Sequence, residues 1–291
     1  MIYLNSRLVS DKMANVSVYD HGFLYGDGIY ETLCVYNGKV FMLDQHVERL
    51  FRSASLIRLS IRKSPYMIKK ALYATLKANR HKDAVVRITV SRGAGPTGLD
   101  PKLCSKPTFV IFSKKFSGYP SRYYQKGVSI AIVSTRRNFS RSLDPQIKSL
   151  NFLNNILAKI EAEDKGAFEA IMLNHRNFLA EGTVSNIFFV RDNALFTPAV
   201  KVGILDGITR KIIIDLANEA GIKVKEGYFR LNDVYESEEI FISNTTMEIM
   251  PVSKVDDTAI KAPGKITVLL QGAYKKKVST YIKERVSNEH K

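Results

Sequence analysis

Residues 146–161 read Gln-Ile-Lys-Ser-Leu-Asn-Phe-Leu-Asn-Asn-Ile-Leu-Ala-Lys-Ile-Glu and follow the turn Leu143-Asp144-Pro145. The run predicts an amphipathic helix over 150–165, with Lys148 just before it. A lysine that points inward from a rigid element is desolvated, which lowers its pKa and makes its amine usable for a Schiff base. The chain has 44 Lys and Arg residues, most of which must be solvated, so the surroundings of Lys148 decide its role.

Length and composition are those of an ordinary globular protein. The chain has 291 residues, 45% hydrophobic and 25% charged, which suits two modest domains or one large one. It has no apolar run of membrane-spanning length and no signal-peptide pattern at Met1–Asn5. Cys34 and Cys104 match no metal or redox spacing and indicate a reducing compartment. We therefore expect a cytoplasmic enzyme or binding protein without a membrane anchor or a metal.

The net charge of +16 allows two interpretations. One is binding to nucleic acid or another acidic surface. The other is a lysine-rich surface with a few arginines that hold a small anion. The densest basic runs, Lys275-Lys276-Lys277 and Arg136-Arg137, accompany no nucleic-acid motif, so we expect no nucleic-acid partner.

The first part of the chain mixes helices and strands. Asn37-Gly38 after an apolar run indicates a hairpin, and Ser64-Pro65 indicates a capped helix start. The predicted strands are 1–4, 7–9, 29–36, 39–41, 84–91 and 108–112, and the predicted helices are 44–56 and 65–78. Residues 117–121, Ser-Gly-Tyr-Pro-Ser, are the best candidate linker.

The second part continues the mixed pattern. Its predicted strands are 128–135, 169–173, 186–190, 194–196 and 239–243, and its predicted helices are 150–165, 209–220 and 263–286. We expect a small α+β domain over 1–116, a linker over 117–123 and a larger domain over 124–291.

Six motifs occur in an order that resembles the class IV aminotransferase family, the fold-type IV pyridoxal-phosphate enzymes. The family contains branched-chain and D-amino-acid aminotransferases and aminodeoxychorismate lyase. The resemblance runs from about Tyr19 to Pro251, and its motifs are Asp20–Glu31, His46–Leu50, the Lys148 run, Glu181–Asn186, Gly203–Arg210 and Ser243–Pro251. It implies an α/β (α+β) fold of two domains, a small α+β domain and a larger pseudo-barrel domain. It also implies the cofactor pyridoxal 5′-phosphate and a homodimer or higher homo-oligomer, in which a neighbour's small-domain loop lines part of each active site.

The resemblance assigns chemistry to three charged residues. Lys148 would hold the cofactor as an internal aldimine and then move the proton between the substrate α-carbon and the cofactor. Glu181 would pair with the pyridine nitrogen, so that the ring can accept electrons. Arg49 would bind the phosphate through its guanidinium fork.

Further cofactor contacts are implied by the last two motifs. Leu205 resembles the residue that packs on the cofactor ring, and the N–H groups of Ile208 and Thr209 would bind the phosphate at a helix start. Thr246 would offer its hydroxyl to the phosphate, and the Thr245–Thr246 backbone would lie beside the substrate carboxylate. Many relatives have a tyrosine where this chain has Phe152. If the phenol of that tyrosine contacts the ring oxygen of the cofactor, the contact is missing here or is supplied by another residue.

The substrate residues follow from the first motif and from the strand at 84–91. Tyr25 and Tyr30 resemble the aromatic wall of the substrate pocket, which an apolar side chain requires. Arg87 is the candidate for binding a dicarboxylic partner. Val85 stands where the branched-chain pattern has an aromatic residue. This difference bears on which substrate side chains the enzyme prefers.

The type of aminotransferase is judged from loop 92–101. D-specific relatives carry an Arg-x-His pair in this loop, whereas this chain has Arg92-Gly93-Ala94 and no histidine there. Lyase members also have an Arg-Gly-rich loop. The runs at 136–138 and 143–155 are most similar to bacterial and archaeal branched-chain enzymes. We therefore predict ping-pong transamination of branched-chain L-amino acids with 2-oxoglutarate.

Alternatives remain at this stage. The chain could be a D-amino-acid aminotransferase, an aminodeoxychorismate lyase or an enzyme of other amines. It could also be a cofactor carrier or a basic nucleic-acid-binding protein that reuses the fold. A carrier needs the phosphate-binding residues but has no use for Lys148 together with Glu181.

Overall fold

The computed structural model describes residues 1–289, and these divide into two compact units. Unit 1 consists of Met1–Ser117, Ile147–Asn151 and the chain from Tyr281 onward. Unit 2 consists of Gly118–Gln146 and Phe152–Thr280. The domain bounds 1–116, 117–123 and 124–291 stay a prediction. Within residues 1–289, no helix is both long enough and apolar enough to cross a membrane.

Unit 1 is a six-stranded sheet with helices on one face. Its strands lie in the order β2-β1-β6-β5-β3-β4, and neighbours are antiparallel. The elements are β1 (Ile2–Leu4), β2 (Arg7–Val9), α1 (His21–Tyr25), β3 (Gly28–Tyr36), β4 (Lys39–Val40), α2 (Leu43–Leu56), α3 (Pro65–Asn79), β5 (Ala84–Ser91) and β6 (Thr108–Lys115).

Two predictions for unit 1, a hairpin turn and a helix start, depend on short stretches of sequence. Asn37 and Gly38 both have positive φ, 48° and 76°, as a two-residue hairpin turn with the twist of its strands requires. Ser64 caps α3 by accepting from Met67 N at 3.3 Å, and Pro65 stands at the first helical position, where its missing N–H costs nothing. These predictions are confirmed.

Strand alternation gives the unit 1 sheet two different faces. Ile29, Leu33 and Val86 are buried in the core with residues of α2 and α3. Their chain neighbours point to the opposite face, because side chains alternate along a strand. Tyr30 pairs across from Thr89. Thr32, two residues after Tyr30 and therefore on the same face, pairs across from Arg87. Tyr30 and Arg87 thus share this second face.

Unit 2 contains a mixed nine-stranded sheet. Its order is β12-β11-β10-β13-β14-β7-β8-β9, with β15 on β14; the pairs β11/β12, β14/β7 and β7/β8 are parallel. The elements are α4 (Ser121–Lys126), β7 (Val128–Ile132), α5 (Leu153–Asp164), β8 (Glu169–Leu173), β9 (Leu179–Gly182), β10 (Asn186–Arg191), β11 (Ala194–Pro198), α6 (Ile208–Glu219), β12 (Val224–Gly227), α7 (Leu231–Tyr235), β13 (Glu239–Asn244), β14 (Glu248–Val255), β15 (Thr258–Ala259) and the part of α8 (Lys265–Glu289) that ends at Thr280.

Two predicted boundaries are wrong. The helix predicted over 150–165 begins only at Leu153, because Ser149 forms a bridge to Ile29 and Leu150 N donates to Gly28 O at 2.9 Å. The strand predicted over 128–135 ends at Ile132, beyond which the chain makes side-chain contacts with Glu161. Short elements such as α1, α7 and β9 were not predicted, since four or five residues carry too little periodicity.

Candidate active site

Lys148 lies on a non-helical segment held against β3 in unit 1. Tyr30 N donates to Lys148 O at 2.9 Å, and Lys148 N donates to Ser53 Oγ on α2 at 3.2 Å. The prediction that Lys148 stands just before the helix is corrected: α5 begins only at Leu153. Pairing with a sheet strand fixes its backbone, so the rigid support that the chemistry needs comes from β3.

Two of the predicted site residues, Lys148 and Arg87, contact the ring of a third, Tyr30. Lys148 Nζ lies 4.5 Å from the centroid of the Tyr30 ring, and the Arg87 guanidinium carbon lies 3.9 Å from it. Tyr30 is only 8% exposed, so both cations contact a ring that is largely shielded from water. Burial lowers the pKa of Arg87, and the neighbouring Tyr30 opposes that shift. Unit 1 thus places an apolar wall and a cation beside the Lys148 amine.

Arg49 belongs to a buried ion network on the other face of β3. Its Nε and Nη2 donate to the two oxygens of Glu31 at 2.7 and 2.8 Å, and His46 Nδ1 lies 2.7 Å from Glu31 Oε2. Burial raises the pKa of Glu31, but Arg49 and His46 outweigh burial and bring that pKa below its usual range. Burial lowers the pKa of His46, and the charges of Arg49 and Lys148 add to this while Glu31 opposes it.

Tyr25 contacts loop 92–101 through its hydroxyl. The hydroxyl accepts from Gly98 N at 3.0 Å, and the ring packs edge-on against His21 at 5.0 Å. Tyr25 is 36% exposed, so it is accessible but is not among the residues that contact Lys148 in unit 1.

Arg92 is held inside unit 1. Its Nε and Nη2 donate to Asp27 at 2.7 and 2.9 Å, and further N–H groups donate to the carbonyls of Ile57 and Arg58. The side chain is 7% exposed. A guanidinium bound in this way serves to anchor its loop.

Glu181 lies on β9 in unit 2 and is 5% exposed. Arg137 Nε donates to its Oε1 at 2.7 Å, Leu205 N donates to its Oε2 at 3.0 Å, and Asn186 Nδ2 lies 3.4 Å from Oε2. Three donors from different segments therefore fix the orientation of the carboxylate.

A second buried carboxylate, Glu169, shapes the turn after Glu181. It accepts from Thr183 N at 3.2 Å, Thr183 Oγ1 at 2.5 Å and Ser185 Oγ at 3.1 Å. Because these bonds fix the backbone between β9 and β10, they also set the positions of Glu181 and Asn186 at its two ends.

The start of α6 is a part of unit 2 whose geometry suits an anion. Ile208 and Thr209 are its first two residues and are buried, and their N–H groups have no acceptor within the helix because of its geometry. The helix dipole adds partial positive charge there. Gly207 precedes them, and a Cβ at Gly207 would lie 2.1 Å from Asn186 Oδ1, so a larger residue would displace the Asn186 side chain.

Thr245 and Thr246 lie in the turn between β13 and β14. Asn244 Oδ1 accepts from Thr246 N at 2.9 Å, Thr246 Oγ1 at 3.1 Å and Met247 N at 2.7 Å. The threonine side chains are half-buried, and the Asn244 side-chain carbonyl fixes their backbone.

The donor set of unit 2 fits a phosphorylated pyridine. Glu181 is a buried carboxylate suited to a protonated ring nitrogen, and Leu205, whose N–H it accepts, leads into the positive end of α6. The chain from Leu205 to Thr209 therefore connects a site for a cation to a site for an anion. Unit 1 separately holds the predicted phosphate ligand Arg49 and the amine of Lys148.

The residues that hold Arg49 and Glu181 in place were not identified from the sequence. Glu31 and His46 stood inside the quoted motifs, and the three-residue spacing of His46 and Arg49 places both on one helix face. Arg137 stood in the Arg-Arg-Asn run, but no local signal shows that it pairs with Glu181, 44 residues away.

The fold and these charged groups define a class IV aminotransferase. The model of the family Amino-transferase class IV matches residues 28–255, and the chain belongs to that family. The prediction of the family, of its two-domain fold-type IV class and of enzymatic activity is confirmed.

Curated relatives cover nearly the whole chain. A Methanocaldococcus jannaschii protein, provisionally assigned as a branched-chain-amino-acid aminotransferase, is 42% identical over 94% of this chain and 95% of its own. An aminodeoxychorismate lyase of Bacillus subtilis is 34% identical over 98% and 97%. A D-alanine aminotransferase of Bacillus licheniformis is 34% identical over 94% and 95%.

Solved structures of branched-chain aminotransferases are similar to nearly the whole chain. The Thermoproteus uzoniensis enzyme with norvaline has a TM-score of 0.89 at 33% identity and covers 94% of this chain and 93% of its own. The enzyme of T.th. with pyridoxamine 5′-phosphate has a TM-score of 0.90 at 28% identity, over 94% and 92%. The predicted cofactor, pyridoxal 5′-phosphate, is confirmed as that of the family.

Proposed function

We propose that the protein transfers the amino group of branched-chain L-amino acids to 2-oxoglutarate. The observation that carries this proposal is the contact of the Tyr30 ring with both the Lys148 amine and the Arg87 guanidinium. An apolar wall suits an aliphatic side chain, and a cation beside it suits the second carboxylate of 2-oxoglutarate. The 42% identity to the M. jannaschii protein supports the same choice.

Lys148 is proposed to perform the proton transfers. Pyridoxal phosphate, when bound, supplies an electron sink that makes the substrate α-proton acidic. Lys148 Nζ would bind the cofactor, leave when the amino acid arrives, and then remove that proton as a free amine. The pairing of residues 148–150 with β3 holds the lysine backbone still while its side chain moves.

Glu181 is proposed to hold a proton on the pyridine nitrogen. Arg137, Leu205 N and Asn186 hold the carboxylate in one orientation, so it needs no reorientation during the reaction. Leu205 would pack on the ring.

The phosphate is proposed to bind to Arg49, to the N–H groups of Ile208 and Thr209, and to the Thr246 hydroxyl. Glu31 aligns the Arg49 fork through two bonds and limits its motion. The turn that contains Thr245 and Thr246 would place its backbone beside the substrate carboxylate.

Substrate choice follows from the residues around Tyr30. Tyr30, Val85 and Tyr25 are proposed to form the apolar wall, and Arg87 to bind the distal carboxylate of the acceptor. Arg92 already binds Asp27 and two carbonyls, which argues against its use as a carboxylate grip for D-amino acids. We also propose a homodimer acting in the cytoplasm.

The proposal is tested by a substrate panel with purified, cofactor-loaded protein. We expect the kcat/KM of L-leucine, L-isoleucine and L-valine with 2-oxoglutarate to exceed that of D-alanine by at least about tenfold. Higher activity with D-alanine, or release of pyruvate from aminodeoxychorismate, would instead assign the activity of the Bacillus relatives.

A further inference from the structure

Unit 2 contains a cavity of ≈ 550 Å³ that includes none of the residues assigned to catalysis or cofactor binding. The volume is in the range of small-molecule sites, roughly 300–1,000 Å³. Polar and apolar side chains share its wall: Arg136, Leu173, Asn177, Arg230, Leu231, Asn232 and Asp233.

Arg230 contributes a positive charge that the protein does not neutralise. Its guanidinium carbon lies 4.8 Å from the centroid of the Phe178 ring, and that of Arg176 lies 5.4 Å from the same centroid. Among residues 1–284, whose side chains the structure describes, neither guanidinium has a carboxylate or carbonyl acceptor. Two cations beside one ring repel each other, and a bound anion would relieve that repulsion.

Arg136 provides a second, more rigid cation on the cavity wall. Its Nη1 donates to the carbonyls of Val133 and Ser134 at 3.2 and 3.0 Å, and its Nη2 donates to Asn177 Oδ1 at 3.1 Å. None of these acceptors is charged, so the positive charge of the guanidinium remains available.

The acidic side chain of the wall does not cancel these cations. Asp233 Oδ1 pairs with Arg191 at 3.3 Å, and its Oδ2 accepts from Arg230 N at 2.8 Å. Its charge is therefore compensated by an arginine that does not line the cavity, and the wall keeps a net positive charge.

We propose that this cavity binds a small organic anion. Arg136 and Arg230 bind its carboxylate or phosphate group, with the amides of Asn177 and Asn232 as additional donors. Leu173 and Leu231 contact a short apolar body. The site stands apart from the proposed transamination and does not depend on it.

Calorimetric titration of the cofactor-loaded protein with phenyl phosphate tests the proposal, because bound cofactor occupies the other phosphate site. We expect one binding event per chain, and Arg230→Gln should weaken it about tenfold, the typical effect of losing a charge-assisted hydrogen bond. Benzoate in place of phenyl phosphate distinguishes a carboxylate preference from a phosphate preference.

Arg122→Gln is the matched control. Arg122 also lies over an aromatic ring, 5.2 Å from the Tyr123 centroid, but does not line the cavity, so the affinity should not change. An unchanged visible spectrum of the cofactor shows that each variant is folded. Equal affinity in the wild type and Arg230→Gln, or no binding of either probe, would overturn the proposal.

Discussion

The two units hold charged side chains in place with partners of opposite kinds, a carboxylate in unit 1 and hydrogen-bond donors in unit 2. In unit 1 a single buried carboxylate, Glu31, aligns the Arg49 guanidinium and the His46 imidazole. In unit 2 a set of donors led by Arg137 aligns a single carboxylate, Glu181. Unit 1 therefore offers an oriented arginine and an amine, whereas unit 2 offers an oriented anion. The comparison teaches that Arg49 and Glu181 are each held in place by a partner of opposite charge.

The strongest test of unit 1 is Lys148→Ala. We expect the protein to bind pyridoxal phosphate without the covalent link and to lose transamination by roughly 10⁴-fold, since this one amine is proposed to perform both attachment and proton transfer. The rate of a single turnover with L-leucine measures this loss. Lys126→Ala, on an exposed residue, is the control; full turnover in the Lys148 variant would refute the role of Lys148.

Glu31→Gln tests whether the partner carboxylate holds the unit 1 network together. The change leaves Arg49 buried at 5% exposure without its counter-charge. We expect a loss of about 3–5 kcal/mol in the free energy of unfolding. Urea denaturation measures the loss, with Glu163→Gln, an exposed carboxylate, as the comparison. A loss below about 1 kcal/mol, typical of a surface pair, would contradict the network.

Glu181→Gln makes the matching test in unit 2. The amide keeps the size of the side chain but removes the charge that would hold a proton on the pyridine nitrogen. We expect kcat to fall by about 10²–10³-fold, the usual effect of removing one oriented electrostatic group. Bound cofactor, checked by absorption, should remain. Unchanged kcat would show that the carboxylate of unit 2 has no electrostatic role in the reaction.

Arg87→Gln separates the two substrates. Because the guanidinium is proposed to bind the distal carboxylate of 2-oxoglutarate, we expect the KM of that acceptor to rise by about tenfold. The KM of L-leucine, which has no distal carboxylate, should change much less. Equal changes in both values would indicate a general effect on the Tyr30 wall.

The smallest expected effect is a pH dependence of stability. The pKa of His46 is lowered in the fold from its ordinary 6.5, so the unfolded chain binds a proton that the folded chain does not. The stability contributed by neutral His46 is complete above pH 6.5 and is lost as the pH falls through the lower folded pKa. His46→Gln should flatten this slope by about 1 kcal/mol per pH unit. His175→Gln, on an exposed side chain, should leave the slope intact.

Local sequence signals predicted the elements of unit 1 well. The turn at Asn37-Gly38 and the cap at Ser64-Pro65 act through neighbouring residues, so a short stretch of sequence contains all that determines them. The start of α5 could not be predicted in this way. Leu150 and Ser149 pair with β3, more than a hundred residues earlier in the chain, and that pairing overrides their helical pattern.

The candidate site was predictable only where a motif contains the reactive residue itself. Lys148, Arg49 and Glu181 were found by resemblance, and their roles stay predictions. Their partners were harder to find, because Glu31 and Arg137 act through contacts between distant segments. Buried ion pairs of this kind depend on tertiary packing, which spacing along the chain does not specify.

The central claim is tested most directly by a half-reaction with the two enantiomers of leucine. The visible absorption of the cofactor-loaded protein is recorded after each enantiomer is added without an acceptor. We expect L-leucine to remove the absorption band and to release about one equivalent of 4-methyl-2-oxopentanoate per site, and D-leucine to leave the band unchanged. Loss of the band with D-leucine but not with L-leucine would contradict the account.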